Sequence, residues 1–248
     1  MRDIEDYSQN YLKPGFEQYK VEYRRKKILE LLQVYNHKNI LEIGCGTEPL
    51  FTYLSEEFKE GKIEKYTFVE PSDVFYDIAA SKIEEGSNVV GIKGIFDSTK
   101  FSKNEFDFII CASLLHELED PAEMVREIEC LCSPETHVLF IVPNADSFHR
   151  QLGVAMHIIE DTKQFSENNI KFQQNSVFDE TSLCNMLNDN RMDVMECRDF
   201  FIKPFSHEQM YNMMEQGIIN NQTLDALYLL SDRMKGIGSE LYAIAKIK

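Results

Sequence analysis

The stretch ILEIGCGTEP, residues 40–49, is an apolar run with an acid near its end that then breaks at two glycines spaced by one residue. A buried strand that carries Glu42 and then turns sharply through Gly44 and Gly46 leaves backbone N–H groups without partners at the start of the next element. Such a turn is typical of a nucleotide-binding site. The rest of the sequence has to decide which nucleotide binds and which chemistry follows.

The charge of the chain limits its partners. Its 248 residues contain 26 Lys and Arg against 42 Asp and Glu, for a net charge of −16. Such a charge would repel polyanions, so it disfavours nucleic acid and anionic membrane surfaces and favours a small molecule or another protein. No segment reaches the about 18 consecutive apolar residues of a membrane span, and no signal-peptide pattern is present, so we expect a cytoplasmic protein, either a monomer or a homodimer.

The six cysteines are expected to be reduced core residues. Most of them lie inside apolar runs, and no CxxC pair is present, which disfavours both a zinc site and a disulfide framework. We therefore predict no metal centre. The cysteines occupy positions 45, 111, 130, 132, 184 and 197.

Up to Pro143 the sequence alternates between strand and helix patterns. The strand segments are nearly continuous apolar runs, which require cover on both faces and therefore indicate a mainly parallel, doubly wound α/β sheet. Apolar residues at helical spacing, with capping residues such as Ser72 and Pro121, mark the helices between them. The predicted strands are 39–43, 65–70, 89–93, 106–112 and 136–142, and the predicted helices are 18–35, 49–58, 72–85 and 121–131.

Beyond Pro143 the pattern changes. Residues 144–178 are polar and show no clear strand, which predicts a long connection or short helices. A helix over 179–190, capped by Asp179 or Thr181, a strand over 192–202, a Met-rich helical region over 204–235 and a final strand over 239–247 follow.

Five motifs in this order resemble those of the class I S-adenosylmethionine-dependent methyltransferases, in particular the small-molecule branch. They are ILEIGCGTEP, YTFVEPSD, GIFDSTKF, FDFIICASLLHELEDP and VLFIVPN. The resemblance implies a Rossmann-like seven-stranded sheet with an antiparallel last strand. It also implies S-adenosylmethionine as cofactor and S-adenosylhomocysteine as product. We expect one methyltransferase domain over 1–248, with an N-terminal lid and first helix (1–37), a cofactor-binding core (38–143) and a substrate cap (144–178 and 203–236).

The same resemblance assigns cofactor-binding roles. Glu42 would meet the methionine amino group, Glu70 would bind both ribose hydroxyls, and Asp97 would bind the adenine amino group while Phe96 packs on the ring. Each acid has a structural alternative, as a turn or helix cap, and Arg24 could equally lie on an exposed helix face. The family usually has a third glycine where this chain has Glu48, which puts the loop geometry in doubt. The full predicted set is Tyr11, Arg24, Glu42, Gly44, Cys45, Gly46, Glu70, Pro71, Phe96, Asp97, Cys111, Ala112 and Ser113.

A glycine-rich strand end also occurs in NAD-dependent oxidoreductases. Their GxGxxG fingerprint would require glycine at position 49, where this chain has Pro49. The fingerprint therefore fails, and we keep an oxidoreductase only as a remote alternative.

Two histidines are candidates for the catalytic base. His116 follows the fourth strand at the carboxyl edge of the sheet, where ligands bind, although a structural role is equally compatible with its position. His149 lies after the fifth strand. His157 and His207 are expected at the surface or at helix caps. The pairs of histidines and acids lack a metal-ligand spacing.

The acceptor is expected to bind between the cap segments. The polar residues after the fifth strand suit a hydroxyl-rich or phosphorylated acceptor, so we expect an O-methyltransferase of a sugar or phosphorylated metabolite. An N- or protein-methyltransferase and a catalytically idle cofactor-binding subunit are the alternatives. A Met and aromatic stripe over 201–214 is more typical of packing than of ligand contact. The predicted acceptor contacts are Asn144, Ser147, Arg150 and Tyr211.

Overall fold

The computed structural model of the chain describes residues 4–35 and 37–248, with the side chains of all but 167 and 168. The first three residues of the predicted lid and residue 36 lie outside the described residues. The strands are β1 (Asn39–Ile43), β2 (Lys65–Glu70), β3 (Val89–Lys93), β4 (Phe108–Ala112), β5 (His137–Pro143), β6 (Met192–Phe200) and β7 (Glu240–Ile247). The helices are α1 (Ile4–Tyr11), α2 (Glu17–Leu32), α3 (Ser55–Lys59), α4 (Asp73–Ala80), α5 (Pro121–Leu131), α6 (Phe148–Ala155), α7 (Glu167–Lys171), α8 (Glu180–Asp189), α9 (His207–Glu215) and α10 (Asn221–Ser231).

The seven strands form one sheet in the order β3-β2-β1-β4-β5-β7-β6. The first five strands pair in parallel, and β7 is antiparallel to both β5 and β6. This is the predicted doubly wound α/β fold with an antiparallel last strand. The strand order reverses between β1 and β4, and a crevice forms at the carboxyl ends of the strands at such a point.

Both faces of the sheet are covered, as the apolar strands require. Along β4, Phe108 and Ile110 belong to the core cluster on one face, and Ile109 and Cys111 belong to the cluster on the other. All four side chains are fully buried. Alternate residues of a strand point to opposite faces, so a strand covered on both sides has to be apolar throughout.

The helix starts follow local capping chemistry. The Ser72 hydroxyl accepts a hydrogen bond from the Phe75 N–H and opens α4, and the Asp120 carboxylate accepts from the Glu123 N–H and opens α5. Asp179, one of the two residues considered, caps α8 in a reciprocal arrangement with Ser182. These side chains satisfy N–H groups that the first helical turn leaves without partners.

Two predicted helices are divided. Residues 49–58 form a 3-10 turn, Leu50–Tyr53, followed by α3, because the backbone at Leu54 leaves the helical region. The region 204–235 forms α9 and α10, separated by a turn in which Gly217 has φ 66°. Residues 144–178 contain the two short helices α6 and α7, the second of the two arrangements that the sequence predicted. None of the described helices is long and apolar enough to cross a membrane.

Candidate active site

A cavity of about 460 Å³ opens at the carboxyl edge of the parallel strands. Its walls come from α1, α2, the turns after β1, β2, β4 and β5, the segment around α6 and α7, and the segment between β6 and α9. Because β7 begins opposite the end of β5 and the end of β6, its first residues reach the same edge. The fold thus collects residues from the whole chain around one space.

One wall, which we call the glycine-turn wall, consists of residues 44–48, 70–71 and 112–114. Gly44 and Gly46 have φ of 73° and 62°, in the left-handed region that glycine adopts without strain. A Cβ built on Gly46 would meet no atom within 4 Å, so this turn presents open space to the cavity. Glu70 accepts hydrogen bonds from the Gly46 and Ser72 N–H groups, both at 2.9 Å. The wall therefore holds a buried carboxylate hydrogen-bonded to a glycine turn that has open space beside Gly46.

Glu42 has a structural role behind this wall. Its carboxylate pairs with Arg25 and accepts hydrogen bonds from the Leu50 N–H at 3.1 Å and the Tyr66 hydroxyl at 2.7 Å. Arg25 also donates to the Cys45 carbonyl at 2.9 Å. Glu42 does not line the cavity; it anchors the start and end of the turn to the sheet and to α2.

Glu48 replaces the third glycine without closing the turn. Its carboxylate lies 3.1 Å from the Lys82 ammonium, which also donates to the Thr47 carbonyl at 2.9 Å. The side chain is thereby drawn toward α4. Glu48 forms part of the cavity wall, and the turn retains its positive φ at both glycines.

The N-terminal helix α1 covers the glycine-turn wall. Tyr7 and Tyr11 pack against Phe75 with ring centroids 6.3 and 5.4 Å apart, and the Ser8 and Ser72 hydroxyls are 2.7 Å apart. The Tyr7 hydroxyl donates to the Glu117 carboxylate at 2.9 Å. Tyr7 and Tyr11 of α1 therefore form part of the cavity wall, and the role of this segment as a lid stays a prediction.

Four charged side chains form a cluster that we call the charge network: Glu17, Lys20 and Arg24, which line the cavity, and Glu240, which contacts Lys20 and Arg24. Lys20, Arg24 and Glu240 are buried, and Glu17 is partly exposed. The Glu240 carboxylate lies 2.9 Å from the Lys20 ammonium and accepts two hydrogen bonds from the Arg24 guanidinium. Arg24 also donates to Glu17 at 3.0 Å. Burial alone would raise the pKa of Glu17, but Lys20 and Arg24 hold that pKa well below its usual range. Both acids are therefore ionised and balance the two cations.

Lys203 and His207 extend this network into the cavity. Lys203 is 1% exposed, and its Nζ lies 2.9 Å from Nδ1 of His207, whose Nε2 lies 3.3 Å from the Glu17 carboxylate. Burial and the neighbouring Lys20 hold the pKa of Lys203 well below its usual value. His207, expected at the surface or at a cap, is the first residue of α9 and is partly exposed, with its side chain turned toward α2.

His116 and His149 both line the cavity, and Nδ1 of each is buried without a hydrogen-bond partner in the described part of the chain. Burial and the cations Arg24 and Lys20 lower the pKa of His116 to about 3. Burial and Lys203 lower the pKa of His149 well below its usual value. Both imidazoles are therefore neutral at pH 7.

The two cap segments, 144–178 and 203–236, place more apolar side chains in the cavity wall than their sequences suggested. The Arg150 guanidinium donates to the Thr162 carbonyl at 2.5 Å and to the Gln164 carbonyl, so it stabilises the loop after α6. The Asn144 amide donates to the Gly238 carbonyl at 2.8 Å. The apolar side chains in this part of the cavity wall are Leu152, Met156, Ile158, Ile159, Phe172 and Phe205.

The cavity brings together most of the predicted site residues. Those in its wall are Tyr11, Arg24, Gly44, Cys45, Gly46, Glu70, Pro71, Ala112, Ser113, His116, Asn144, His149 and Arg150. Six predicted residues do not line it: Glu42, Phe96, Asp97, Cys111, Ser147 and Tyr211.

Glu42 lies behind the glycine-turn wall, as described above, and the other five residues each have a different environment. Asp97 caps a 3-10 turn by accepting from the Thr99 N–H at 3.0 Å, and Phe96 stacks on Phe101 at 5.9 Å. Cys111 is fully buried in the sheet. Ser147 is fully buried before α6, and Tyr211 packs against the core from α9.

Sequence reasoning missed Glu17, Lys20, Lys203 and Glu240. Lys203 had a detectable signal, because a lysine inside the apolar run FFIKPF, residues 200–205, has to be buried or specially placed. Glu17 and Lys20 lie on a helix that carries both buried charged residues, such as Arg24, and exposed ones, such as Glu22 and Lys26, and nothing in the sequence separates the two groups.

Comparison with known proteins identifies the family. A family model described as a methyltransferase domain matches residues 16–194, most of the chain. The chain belongs to the class I S-adenosylmethionine-dependent methyltransferases. The matched region contains β1 through β5 and the whole glycine-turn wall, so the resemblance seen in the five motifs is confirmed.

The methyltransferase is 32% identical over 112 residues to a polyketide synthase-nonribosomal peptide synthetase of Aspergillus clavatus. That alignment covers 43% of this chain but only 3% of the much longer relative. Among solved structures, a possible histamine N-methyltransferase of Thermotoga maritima superposes with a TM-score of 0.57 at 16% identity, over 94% of each chain. The plantazolicin methyltransferase BpumL, in complex with a desmethylPZN analogue and SAH, gives a TM-score of 0.54 at 18% identity, over 100% of this chain and 90% of that one.

The residues of the cavity fit the cofactor of this family, S-adenosylmethionine. Glu70 places a carboxylate at the end of β2, where an acid suits ribose hydroxyls, and the open space at Gly46 admits a ligand to the backbone. The cavity volume lies within the range of small-molecule and cofactor sites, about 300–1,000 Å³. The cofactor would lie on the glycine-turn wall under α1.

Proposed function

We propose that this methyltransferase transfers the methyl group of S-adenosylmethionine to a small acceptor enclosed between the cap segments 144–178 and 203–236. One observation carries the proposal. A single cavity joins the glycine-turn wall to the neutral imidazoles of His116 and His149. The imidazoles place hydrogen-bonding side chains in the wall of that cavity, so they favour an acceptor with a polar atom.

Methyl transfer requires alignment more than acid or base strength. When bound, S-adenosylmethionine supplies an already activated methyl group, which leaves a neutral thioether behind. The protein has to hold the acceptor atom in line behind that methyl group and exclude water. His116, on the turn after β4, and His149, on α6, flank the cavity and are suited to orient the acceptor by hydrogen bonds.

The low pKa of His116 changes the role that we expected for it. A base whose conjugate acid has a pKa of about 3 holds a proton very weakly at pH 7. We therefore assign His116 and His149 to orientation of the acceptor instead of proton removal. The His116→Ala variant should retain cofactor affinity and show a raised KM for the acceptor.

The acceptor that we propose combines an apolar part with a nucleophilic oxygen. Leu152, Met156 and Phe172 contribute apolar surface to the cavity wall, and the imidazoles and Lys203 contribute polar groups. A sugar or phosphorylated metabolite would use only the polar groups, so it is a weaker candidate than the polar sequence of the cap suggested. An N-methyl acceptor differs only in the nucleophilic atom, and an idle subunit would bind cofactor without turnover.

The cofactor assignment is tested by calorimetric titration of S-adenosylmethionine and, separately, NAD into the wild-type protein and the Glu70→Ala variant. Loss of the charge-assisted hydrogen bonds should weaken S-adenosylmethionine binding by about 1–3 kcal/mol. Glu85→Ala, at an exposed acid in the turn after α4, is the matched control and should bind as the wild type does. Unchanged affinity in a folded Glu70→Ala protein would contradict the assignment.

Turnover is then tested by release of S-adenosylhomocysteine with panels of apolar phenols and hydroxy acids, sugars, amines and peptides. Methylation of a compact acceptor with an apolar portion is the expected result. Peptide methylation without small-molecule turnover would favour a protein substrate. Cofactor binding with no turnover on any panel would favour the idle subunit.

A further inference from the structure

Lys203 is a buried titratable group in the cavity wall to which the proposed function assigns a polar contact but no part in proton transfer. It follows β6 in a segment fixed by Phe201, whose φ is 57° and whose ring stacks on Tyr23 with centroids 4.5 Å apart. Positive φ at a bulky residue is strained and persists only where packing enforces it. Here the packing of Phe201 turns the following residues toward the cavity, and Lys203 lies in its wall.

His207 and Glu17 determine how the amine is held. The Glu17 carboxylate, at 3.3 Å, selects the tautomer of His207 in which Nε2 carries the proton and donates to that carboxylate. Nδ1 then has a lone pair, which accepts a hydrogen bond from Lys203 Nζ at 2.9 Å. No carboxylate of the described residues lies within ion-pair distance of Nζ, so this amine is oriented by a neutral acceptor.

We propose that Lys203, oriented by His207 and Glu17, is the general base that removes the proton of a hydroxyl acceptor in this cavity. This inference rests on the proposed function, and it assigns the acceptor class as alcohols or phenols whose oxygen has to lose a proton. His207 and Glu17 are positioning residues, because they act on the acceptor only through the amine.

The proton transfer balances without a further reactant. The acceptor O–H bond breaks and its proton passes to the Lys203 amine, while the acceptor oxygen forms a bond to the methyl carbon and the carbon–sulfur bond of the cofactor breaks. The resulting ammonium retains its hydrogen bond to His207 and releases the proton to water when the product leaves. Methyl ether, thioether and one proton are the products.

The electrostatic surroundings of Lys203 favour the neutral amine. Burial is the main cause of its lowered pKa; Lys20 and Arg150 lower it further, whereas Glu17 and Glu240 oppose that change. The charged and titratable groups that face it are Glu17, Lys20 and Arg24 on α2, Glu240 on β7, His149 and Arg150 on α6, His116 after β4, and His207 on α9. The lowered pKa increases the fraction of neutral amine near pH 7, and the neutral amine has the lone pair that a base requires.

The protonation state is tested first, on the protein without ligands. In protein labelled with ¹³C at the lysine ε carbons, an NMR pH titration should show one signal with a midpoint well below the ordinary lysine pKa of about 10.4. That signal should be absent from Lys203→Met. A wild-type protein with no such signal overturns the proposal, even where the variant does not fold.

The kinetic test compares Lys203→Met with Lys59→Met, a control at an exposed lysine that ends α3. On the best hydroxyl acceptor found, Lys203→Met should lower kcat by about 10²-fold or more, the usual range for a general base. In the wild type, kcat should rise with pH and level off once the amine is neutral. In Lys203→Met this rise of kcat with pH should be absent. Turnover within threefold of wild type overturns the proposal.

Two further variants separate positioning from mere packing. His207→Asn keeps an acceptor oxygen near the position of Nδ1, whereas His207→Leu removes it. Partial retention of kcat in His207→Asn, with a shifted pH limb, supports the assigned role, and equal rates in the two variants contradict it. S-adenosylmethionine affinity, measured in every variant, separates the two proposals. Wild-type protein that fails to bind the cofactor refutes the proposed function. Normal cofactor binding with unaltered kinetics in Lys203→Met refutes only the role of Lys203.

Discussion

The glycine-turn wall and the charge network hold their buried carboxylates in different ways. In the glycine-turn wall, Glu70 is held by backbone N–H groups of Gly46 and Ser72. In the charge network, Glu240 is held by the side chains of Lys20 and Arg24, the latter 216 residues away. Backbone donors remain after any side-chain change, whereas side-chain donors do not. Substitutions in the network should therefore affect stability, and substitutions in the glycine-turn wall should affect ligand binding.

The largest effect is expected from Glu240→Ala. It leaves two buried cations without their shared carboxylate, and the removal of one partner from a buried ion pair typically costs about 3–5 kcal/mol. Urea unfolding at pH 7.5 measures the loss. Glu135→Ala, at an exposed acid 3.8 Å from Lys246, is the matched surface control and should cost less than about 1 kcal/mol. Similar small losses in both variants would show that the network does not stabilise the fold.

A smaller effect is expected from pH, through the buried imidazole of His116. Its folded pKa of about 3 lies below the unfolded value of about 6.5, so the unfolded chain binds more protons between these values. Stability should therefore fall as pH falls below 6.5, by at most about 1.4 kcal/mol per pH unit for this histidine. The lowered pKa values of Glu17 and Glu240 matter only below about pH 4.5, where unfolded acids begin to be protonated.

Urea unfolding at pH 7.5, 6 and 5 tests this dependence. His116→Gln should flatten the slope below pH 6.5, because it removes the group that takes up the proton on unfolding. His157→Asn, at an exposed residue with φ 57°, is the control and should keep the wild-type slope. An unchanged slope in His116→Gln would show that the imidazole is not held neutral by the fold.

The smallest effect on stability is expected from Gly46→Ala. A left-handed backbone costs a residue with a Cβ about 1–2 kcal/mol, and the new Cβ would enter open space in the cavity. Gly86→Ala is matched, because Gly86 also has positive φ and no atom near the added Cβ. Both variants should lose similar stability in thermal unfolding, but only Gly46→Ala should weaken S-adenosylhomocysteine binding in calorimetry. Equal S-adenosylhomocysteine affinity in the two variants would show that the cofactor does not lie against the turn at Gly46.

Much of the glycine-turn wall could be predicted because its features are local. The strands Asn39–Ile43, Lys65–Glu70 and Val89–Lys93 have the predicted bounds, and Gly44, Gly46 and Glu70 lie at the strand ends where a cavity forms. Glu42 illustrates the limit of such reasoning. An acid at a strand end can face a ligand or anchor a turn, and the partner that decides, Arg25, lies on a helix whose orientation the sequence does not give.

The sequence by itself determined the order of strands and helices, the glycine turn and the family. The spacing of apolar residues, the capping side chains and the glycines that adopt a left-handed backbone all depend on neighbouring residues. Only the tertiary structure decided which charges are buried together. Glu17, Lys20 and Arg24 on α2 meet Lys203 and His207 after β6 and Glu240 at the start of β7, since the antiparallel β7 brings distant segments to one edge. The burial that lowers the pKa values of Lys203 and His116 arises because these distant segments pack together, and the residues next to each of them in the sequence do not predict it.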